Sequence, residues 1–504
     1  MNALTKYKGS IKLAAIGDAL GWITEFEKKH EDLKKKYGVS FINKFFEWRK
    51  KVGGIFYGYD DNIKAGSYSD DTQLLLAVAR SIKKDGIVDQ NYFSKVELPN
   101  WLLYARGAGR TIKNAARKIE RKSATWNSNF FTFKAGKTTI DYRESGANGA
   151  AMRILPIALA NFGDVNKIKK EIFSNSIITH GHPRAIAGAM LYGIAIDIIL
   201  QLSPKNFDYT IFLTMLGKDI HTKLSIPFID SPELKAWEIE WNKKDSSIIF
   251  KELYDNVVYE VQQYLRDTYK YIKEDVSDYD ALSKLGCYKH ETKGSGVSTV
   301  IAGIFFVCKY SNEPLKSIEN AVNSIGTDTD SIAAFAGGLV GALNGQNIIP
   351  ERWKVVQDIE YLDKISENLL EISEGRAKFD DMAFEQNNIS INVIDSDNYK
   401  QGEKVYFEPL GNGVITQIDK QDAITKGKFN IILSVDFELG QSCIFSKLLS
   451  VHNESINDDA NDWITNSMLK FSNKEYEELK NLKMKKNWDK IIKLLLTKIP
   501  DRNE

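Results

Sequence analysis

Long apolar runs separated by short polar stretches dominate the first three quarters of the chain, and the runs have helical length. "LLLAVARSI" (74–82), "RAIAGAMLYGIAIDIIL" (184–200) and "SIAAFAGGLVGALNG" (331–345) are rich in alanine and leucine. They predict a mostly helical body over 1–375. In the last run Gly337, Gly341 and Gly345 recur every four residues, which leaves one helix face bare and lets a second helix approach closely. Residues 26–66 break the rhythm; they are rich in lysine and aromatics and read as an ordered insertion or lid. Near 390 the pattern changes to short β-branched and aromatic runs, with "GNG" (411–413) and "TKGK" (425–428) as turns. Residues 395–452 therefore predict a small SH3-like β-barrel of about five strands. Helical periodicity returns over 457–504. The end of that tail is basic, with Lys480, Lys483, Lys485, Lys486, Lys490, Lys493 and Lys498 against Asp489, and reads as a solvated helix face. The expected organisation is a helical domain (1–385), a β domain (395–452) and a helical tail (457–504).

A chain of 504 residues that is 43% hydrophobic can build its core without disulfides or structural metal. The net charge of +1 gives no general attraction to nucleic acid or to an anionic membrane. Three scattered cysteines, Cys287, Cys308 and Cys443, form no CxxC pair. They point to a reducing, cytoplasmic setting and away from a thiolate zinc site. The N-terminal apolar stretch is short and broken by Asp18, and no run reaches the roughly 18–20 apolar residues of a membrane helix.

The chemistry lies at the helix starts. In "SYSDDTQLL" (67–75), Ser69, Asp70, Asp71 and Thr72 precede an apolar run, and in "IGTDTDSIAAFAGG" (325–338) Asp328, Asp330 and Ser331 do the same. Capping at a helix N-terminus accounts for one such cluster. Two with the same grammar point to a shared site of four carboxylates and several hydroxyls. That all-oxygen set suits Mg²⁺ or Mn²⁺, and two ions match its charge. "ESGANGAAMRILP" (144–156) offers a loop poor in side chains that can cradle phosphate, with Arg153 as a further cation or as the partner of a core carboxylate. In "ITHGHPRAIAG" (178–188), His182 precedes Pro183 at a helix start; His180 and His182, two apart, do not form a metal pair, and pocket lining fits them better. "AAIGDALGWITEFE" (14–27) carries a buried-looking Asp18 and, in a loop beyond the helix, Glu25, a candidate general acid or base.

These five elements, in this order, resemble the ADP-ribosylglycohydrolase family, over about residues 8–350. "GDALG" with Glu25, "SDDTQ", "GANGAAMR", "THGHPRA" and "GTDTDSIAA" are the matching segments. "RGAGRT" (106–111) and "GSGVSTVIAGIFF" (294–306) match more loosely. Ile23 stands where the family commonly has proline, Thr327 where it has glycine and Ser331 where it has threonine; serine keeps the hydroxyl. The resemblance implies an orthogonally packed all-helical fold and hydrolysis of a glycosidic bond to ADP-ribose. It implies two Mg²⁺ or Mn²⁺ held by Ser69, Asp70, Asp71, Asp328, Asp330 and Ser331, with Asp70, Asp330 and the mobile Glu25 carrying catalysis. Gly146, Ala147, Asn148, Gly149, Ala150 and Ala151 would hold the diphosphate, and His182 would contact the distal ribose or adenine. The implied partner is an ADP-ribosylated protein or nucleic acid, with no membrane, and the C-terminal region is the candidate for recruiting it. The alternatives are an ADP-ribose-binding protein with weak turnover and a hydrolase of a free nucleotide.

Overall fold

A computed structural model describes residues 2–245, 247–378, 399–450 and 473–484, with Lys490, Lys493 and Leu494. The helices that build the centre are α1 (Ala3–Gly21), α2 (Asp70–Arg80), α3 (Arg110–Lys118), α4 (Pro183–Gln201), α5 (Gly296–Lys309) and α6 (Thr329–Asn344). A seventh, α7 (Ile359–Ser373), leads out of the helical body.

The bare glycine face of α6 is used against α1. A Cβ on Gly337 would lie 2.0 Å from the Leu13 carbonyl oxygen, and one on Gly341 2.1 Å from that of Gly9. From the other side, a Cβ on Gly17 would lie 2.1 Å from the Ala333 carbonyl oxygen. Backbones this close exclude any side chain, so the two helices are locked in register. Gly345, the third of the series, ends α6 at a positive φ of 71°. The functional consequence is at the opposite end, where Gly21 at the end of α1 meets Thr329 and Asp330 at the start of α6.

By length and composition α4 could cross a membrane, contrary to the expectation that no run is long enough. Of its apolar window 94% is buried inside the fold, so its all-round apolarity is that of a core helix.

Three sheets are present among the described residues. β1 (Trp48–Val52) and β2 (Tyr59–Ile63) form an antiparallel hairpin within the lysine-rich insertion, and β3 (Thr132–Ala135) and β4 (Thr138–Asp141) form another. The C-terminal sheet is an antiparallel meander of β5 (Lys404–Phe407), β6 (Gly411–Asp422), β7 (Lys428–Phe437) and β8 (Ser442–Ser450). It has four strands among the described residues where about five were expected. "GNG", read as a turn, opens β6 instead, with Gly413 paired to Val405 and to Phe437. "TKGK" is a turn, with Gly427 at φ 75°.

This sheet shares its core with the helical body. Tyr104 packs its ring against Phe407 at 6.1 Å and Phe445 at 5.8 Å. The buried Arg80 donates to Glu97 at 2.7 and 2.8 Å and to the side chain of Gln441 at 2.6 Å. Asp358 accepts from the Tyr68 hydroxyl at 2.5 Å and from the Ser442 N–H at 3.1 Å. Of the tail, the helix Asn473–Met484 is described; Lys485, Lys486, Lys498 and the boundaries near 385 and 457 lie outside the described residues.

Candidate active site

The first acidic turn is shaped by Asp18. Its fully buried carboxylate accepts from the backbone N–H of Ser69 at 3.1 Å and of Thr72 at 3.0 Å, and from the Thr72 hydroxyl at 2.6 Å. Those are the free donors of the first turn of α2, so α1 caps α2 from outside. Ser69 is the N-cap and accepts from the Asp71 N–H at 3.2 Å. With the cap supplied twice over, Asp70 and Asp71 are not needed for it.

The second acidic turn meets the first. Asp328 is the N-cap of α6 yet makes no capping bond; its Oδ2 accepts instead from Asn148 Nδ2 at 3.2 Å. Ser331 Oγ donates to Asp71 Oδ2 at 2.7 Å, a direct bond between the two clusters, which are 260 residues apart. Thr329 donates to the Gly21 carbonyl at 2.8 Å, and Thr24 donates to the Val322 carbonyl at 2.6 Å, which fixes the turn that carries Glu25.

Two glycine loops wall the other side. The Asn148 N–H donates to the Gly294 carbonyl at 2.9 Å, and the Gly296 N–H to the Gly146 carbonyl at 3.0 Å. Arg153 lies beneath the first loop. It is fully buried and donates to the Gly149 carbonyl, to Asn175 at 2.8 Å and to the Thr179 hydroxyl at 3.0 Å. It therefore has carbonyl and hydroxyl partners, not the carboxylate considered from sequence, and burial lowers its pKa to about 9.

Together these elements enclose a cleft of about 350 Å³. Glu25, Asp70, Asp71, Asp328 and Asp330 all line it, with Arg110 and Lys293 as the lining cations. Burial and mutual repulsion make Glu25, Asp70, Asp71 and Asp330 hold protons. Glu25 is raised to about 8, by burial and then by Asp328, against the pull of Lys50. Asp70 is raised to about 7 by burial and Asp18, with Lys113 and Lys50 opposing. Asp71 and Asp330 are raised further, by burial and then by neighbouring acids.

The donor set fits a hard divalent cation. It is all oxygen, and space beside it is kept clear by glycine. A Cβ on Gly107 would lie 2.9 Å from Asp70 Oδ1, and one on Gly294 2.8 Å from Asp328 Oδ2. Both glycines have positive φ, 91° and 72°. Beside Gly107 the Trp22 indole N–H is buried and has no acceptor among the described residues. Among the described residues no three His, Cys, Asp or Glu side chains close round a single point as they stand.

The other sequence candidates divide. Ala147, Asn148 and Gly149 line the cleft, whereas Ala150 and Ala151 are fully buried in the core and Ser69 is the buried cap. Gly146 packs against His182, outside the lining. His182 does not line the cleft either: as the N-cap of α4 it accepts the Arg184 N–H on Nδ1 at 3.1 Å, and its ring is committed to the helix start. His180 lines the cleft in its place. Its Nδ1 is 2.7 Å from the Thr179 hydroxyl, and burial beside Arg153 lowers its pKa to about 3, so the ring is neutral. Lys50 and Lys113 carry no local sign in the sequence; Lys293 is marked only by its adjacency to "GSG", and Arg110 only by lying within "RGAGRT".

The ADP-ribosylglycohydrolase family model matches residues 1–378. The chain is 32% identical to the ADP-ribosyl-[dinitrogen reductase] glycohydrolase of Rhodospirillum rubrum over 181 residues, which are 36% of this chain and 52% of that protein. It is 26% identical to the ADP-ribosylhydrolase ARH3 of Xenopus tropicalis over 70% of this chain and 91% of that protein. To the ADP-ribosylarginine hydrolase Tri1 of Serratia proteamaculans it is 22% identical, over 73% and 79% of the two chains. The family match covers every element that builds the cleft, and the chain belongs to the ADP-ribosylglycohydrolase family, a family of glycosidic-bond hydrolases.

Proposed function

We propose that the cleft hydrolyses the glycosidic bond between ADP-ribose and a modified macromolecule, with two Mg²⁺ or Mn²⁺ as cofactors. The observation that carries this reading is the meeting of the two Asp-hydroxyl helix starts through the 2.7 Å Ser331–Asp71 bond, with Glu25 in the same cleft. Asp70, Asp71, Asp328, Asp330 and Ser331 are the residues that would hold the ions. When bound, such ions supply the positive charge that offsets these acids and polarise the ribose hydroxyls and a water.

The chain's own groups do the rest. Ala147, Asn148 and Gly149 provide a backbone surface for the diphosphate, and Arg110 and Lys293 provide its counter-charge. His180 lines the same wall as a neutral group. Cleavage passes through an oxocarbenium-like state, whose positive charge Asp70 and Asp330 stabilise. Glu25, the one lining acid among the described residues that lies outside the two helix starts, acts in its ionised form: it takes the proton of the attacking water and passes it to the departing oxygen or nitrogen of the acceptor as that bond breaks. The macromolecular acceptor is a protein side chain or a nucleic acid.

The test is to incubate the full chain with Mg²⁺ and, separately, ADP-ribosyl-arginine, an ADP-ribosyl-serine peptide, ADP-ribosylated nucleic acid and a free ADP-ribose-containing nucleotide. Release of ADP-ribose from one or more of the first three, abolished by chelator, is the expected result. Release from the free nucleotide alone would replace the macromolecular acceptor. No release from any, with ADP-ribose still bound, would make the chain a binding protein.

A further inference from the structure

The β1–β2 hairpin touches both the C-terminal sheet and the turn that carries Glu25. Its tip is tied to the sheet. Gln421 of β6 accepts from the Asp60 N–H and donates to the Asp60 carbonyl, both at 3.0 Å. Asn430 of β7 donates to the Tyr57 carbonyl at 3.0 Å, and the Thr425 N–H donates to the Phe56 carbonyl at 3.0 Å. The Lys428 ammonium lies 5.3 Å from the centre of the Tyr57 ring.

The other end of the hairpin faces the turn that carries Glu25. Trp48 and Lys50, two apart on β1, share one face. The Trp48 ring meets Trp22 edge-on at 5.1 Å and Phe26 at 6.5 Å. The Lys50 ammonium lies 3.7 Å from the centre of the Phe26 ring and 5.5 Å from that of Trp22. Opposite Lys50, Asp61 of β2 holds Arg106 at 2.8 and 3.0 Å, and that guanidinium lies 5.6 Å from the Trp22 ring. Trp22 and Phe26, clasped in this way, bracket Glu25.

We infer that the C-terminal sheet positions Glu25: by holding the hairpin tip it holds the Trp48–Lys50 face on the turn Trp22–Phe26, and so sets where the Glu25 carboxyl lies in the cleft. A two-stranded hairpin is marginal in water without support, and the tip bonds to the sheet provide that support. The turn needs a lateral clamp because it is not regular helix; the Thr24 and Glu25 N–H groups both bond back to the Gly21 carbonyl at 3.0 Å, and Phe26 is half exposed. This inference rests on Glu25 acting in the hydrolysis, and it makes Trp48 and Lys50 positioning residues.

The experiment uses the full chain with Gln421→Ala, with Gln421→Ala/Asn430→Ala, with Trp48→Ala and with the combination of both sets. Amide hydrogen exchange is read over the hairpin (48–63), the turn (22–27) and α6. The tip variants are expected to speed exchange in the hairpin and the turn and to leave α6 unchanged. Turnover of the ADP-ribosyl substrate should fall about tenfold in kcat with KM nearly constant, as expected for a displaced catalytic group. Trp48→Ala should give a similar fall, and adding the tip changes to it should give no more, because both break one chain of contacts. Lys50→Arg should keep the activity that Lys50→Ala loses, since either cation can sit on Phe26. Faster hairpin exchange with an unchanged turn and unchanged kcat would overturn the inference, as would effects that multiply. Exchange in the turn is read whether or not substrate is turned over, so failure of this coupling is distinguishable from failure of the hydrolase reading. If the Asn430 change prevents folding, Gln421→Ala alone carries the test, since its side chain is only half buried.

Discussion

Glu97 and Asp330 are both buried carboxylates, and their neighbours differ in kind. Glu97 takes two N–H groups from Arg80 at 2.7 and 2.8 Å, and Arg80 goes on to Gln441 of the C-terminal region. Asp358, in the same interface, has Tyr68 and Ser442 as donors. Asp330 instead faces Glu25, Asp328 and Asp71, which all raise its pKa further. A buried charge with a matched partner is bound to the fold, and breaking the pair costs stability. A buried charge crowded by its own sign is a cost the fold bears for something else, which marks a functional site. The interface is satisfied within the chain, whereas the cleft is completed by what it binds.

Substitutions break this comparison in opposite directions. The largest effect is expected for Asp330→Asn: hydrolysis should fall on the order of 10³-fold, while the unfolding free energy of chelator-treated protein stays level or rises, because an amide lies uncharged among these acids without having to hold a proton there. Kinetics and urea denaturation check the two halves. Next comes Arg80→Ala, which strands Glu97 in the core; denaturation should show a loss of about 3–5 kcal/mol. A loss under about 1 kcal/mol there, the size of a surface pair, would remove the distinction between the regions. Glu25→Gln should lower kcat on the order of 10²-fold with ADP-ribose binding, read by calorimetry, kept.

The smallest effect is in the pH dependence of stability. Folding raises the Glu25 carboxyl from its ordinary 4.5 to about 8, and that of Asp70 from 3.8 to about 7. The folded chain therefore holds protons that the unfolded chain gives up, so stability is full below the ordinary values and is lost as pH rises towards 7 and 8. Thermal melts of chelator-treated protein should show Tm falling from pH 5 to pH 8, and Glu25→Gln should flatten the upper part of that fall.

The parts of the site that were legible in the sequence are those set by local rules. Ser69, Asp70 and Asp71 declare a helix start because the cap, the acids and the apolar run are contiguous, and the same holds at Asp328–Ser331. Gly337 and Gly341 declare close packing through their spacing. What was not legible depends on partners far away in the chain. Lys50 and Lys113 reach Asp70 from an insertion and a separate helix, and no periodicity reports that. His180 and His182 are alike in type and spacing; Pro183 makes His182 the cap and leaves the cleft wall to His180. The β region was legible as strands from its β-branched runs, but its attachment to the body runs through Arg80, Tyr104 and Asp358, none of which carries a local sign.

The crowded carboxylates are proposed to hold divalent cations. Calorimetric titration of Mg²⁺ or Mn²⁺ into the chelator-treated chain is the most direct check, with Asp71→Asn/Asp330→Asn as the control. About two ions per chain are expected, as best fits the charge of the carboxylates, with loss of that binding in the control. Saturation with no ion bound, or the same binding in the control, would contradict it.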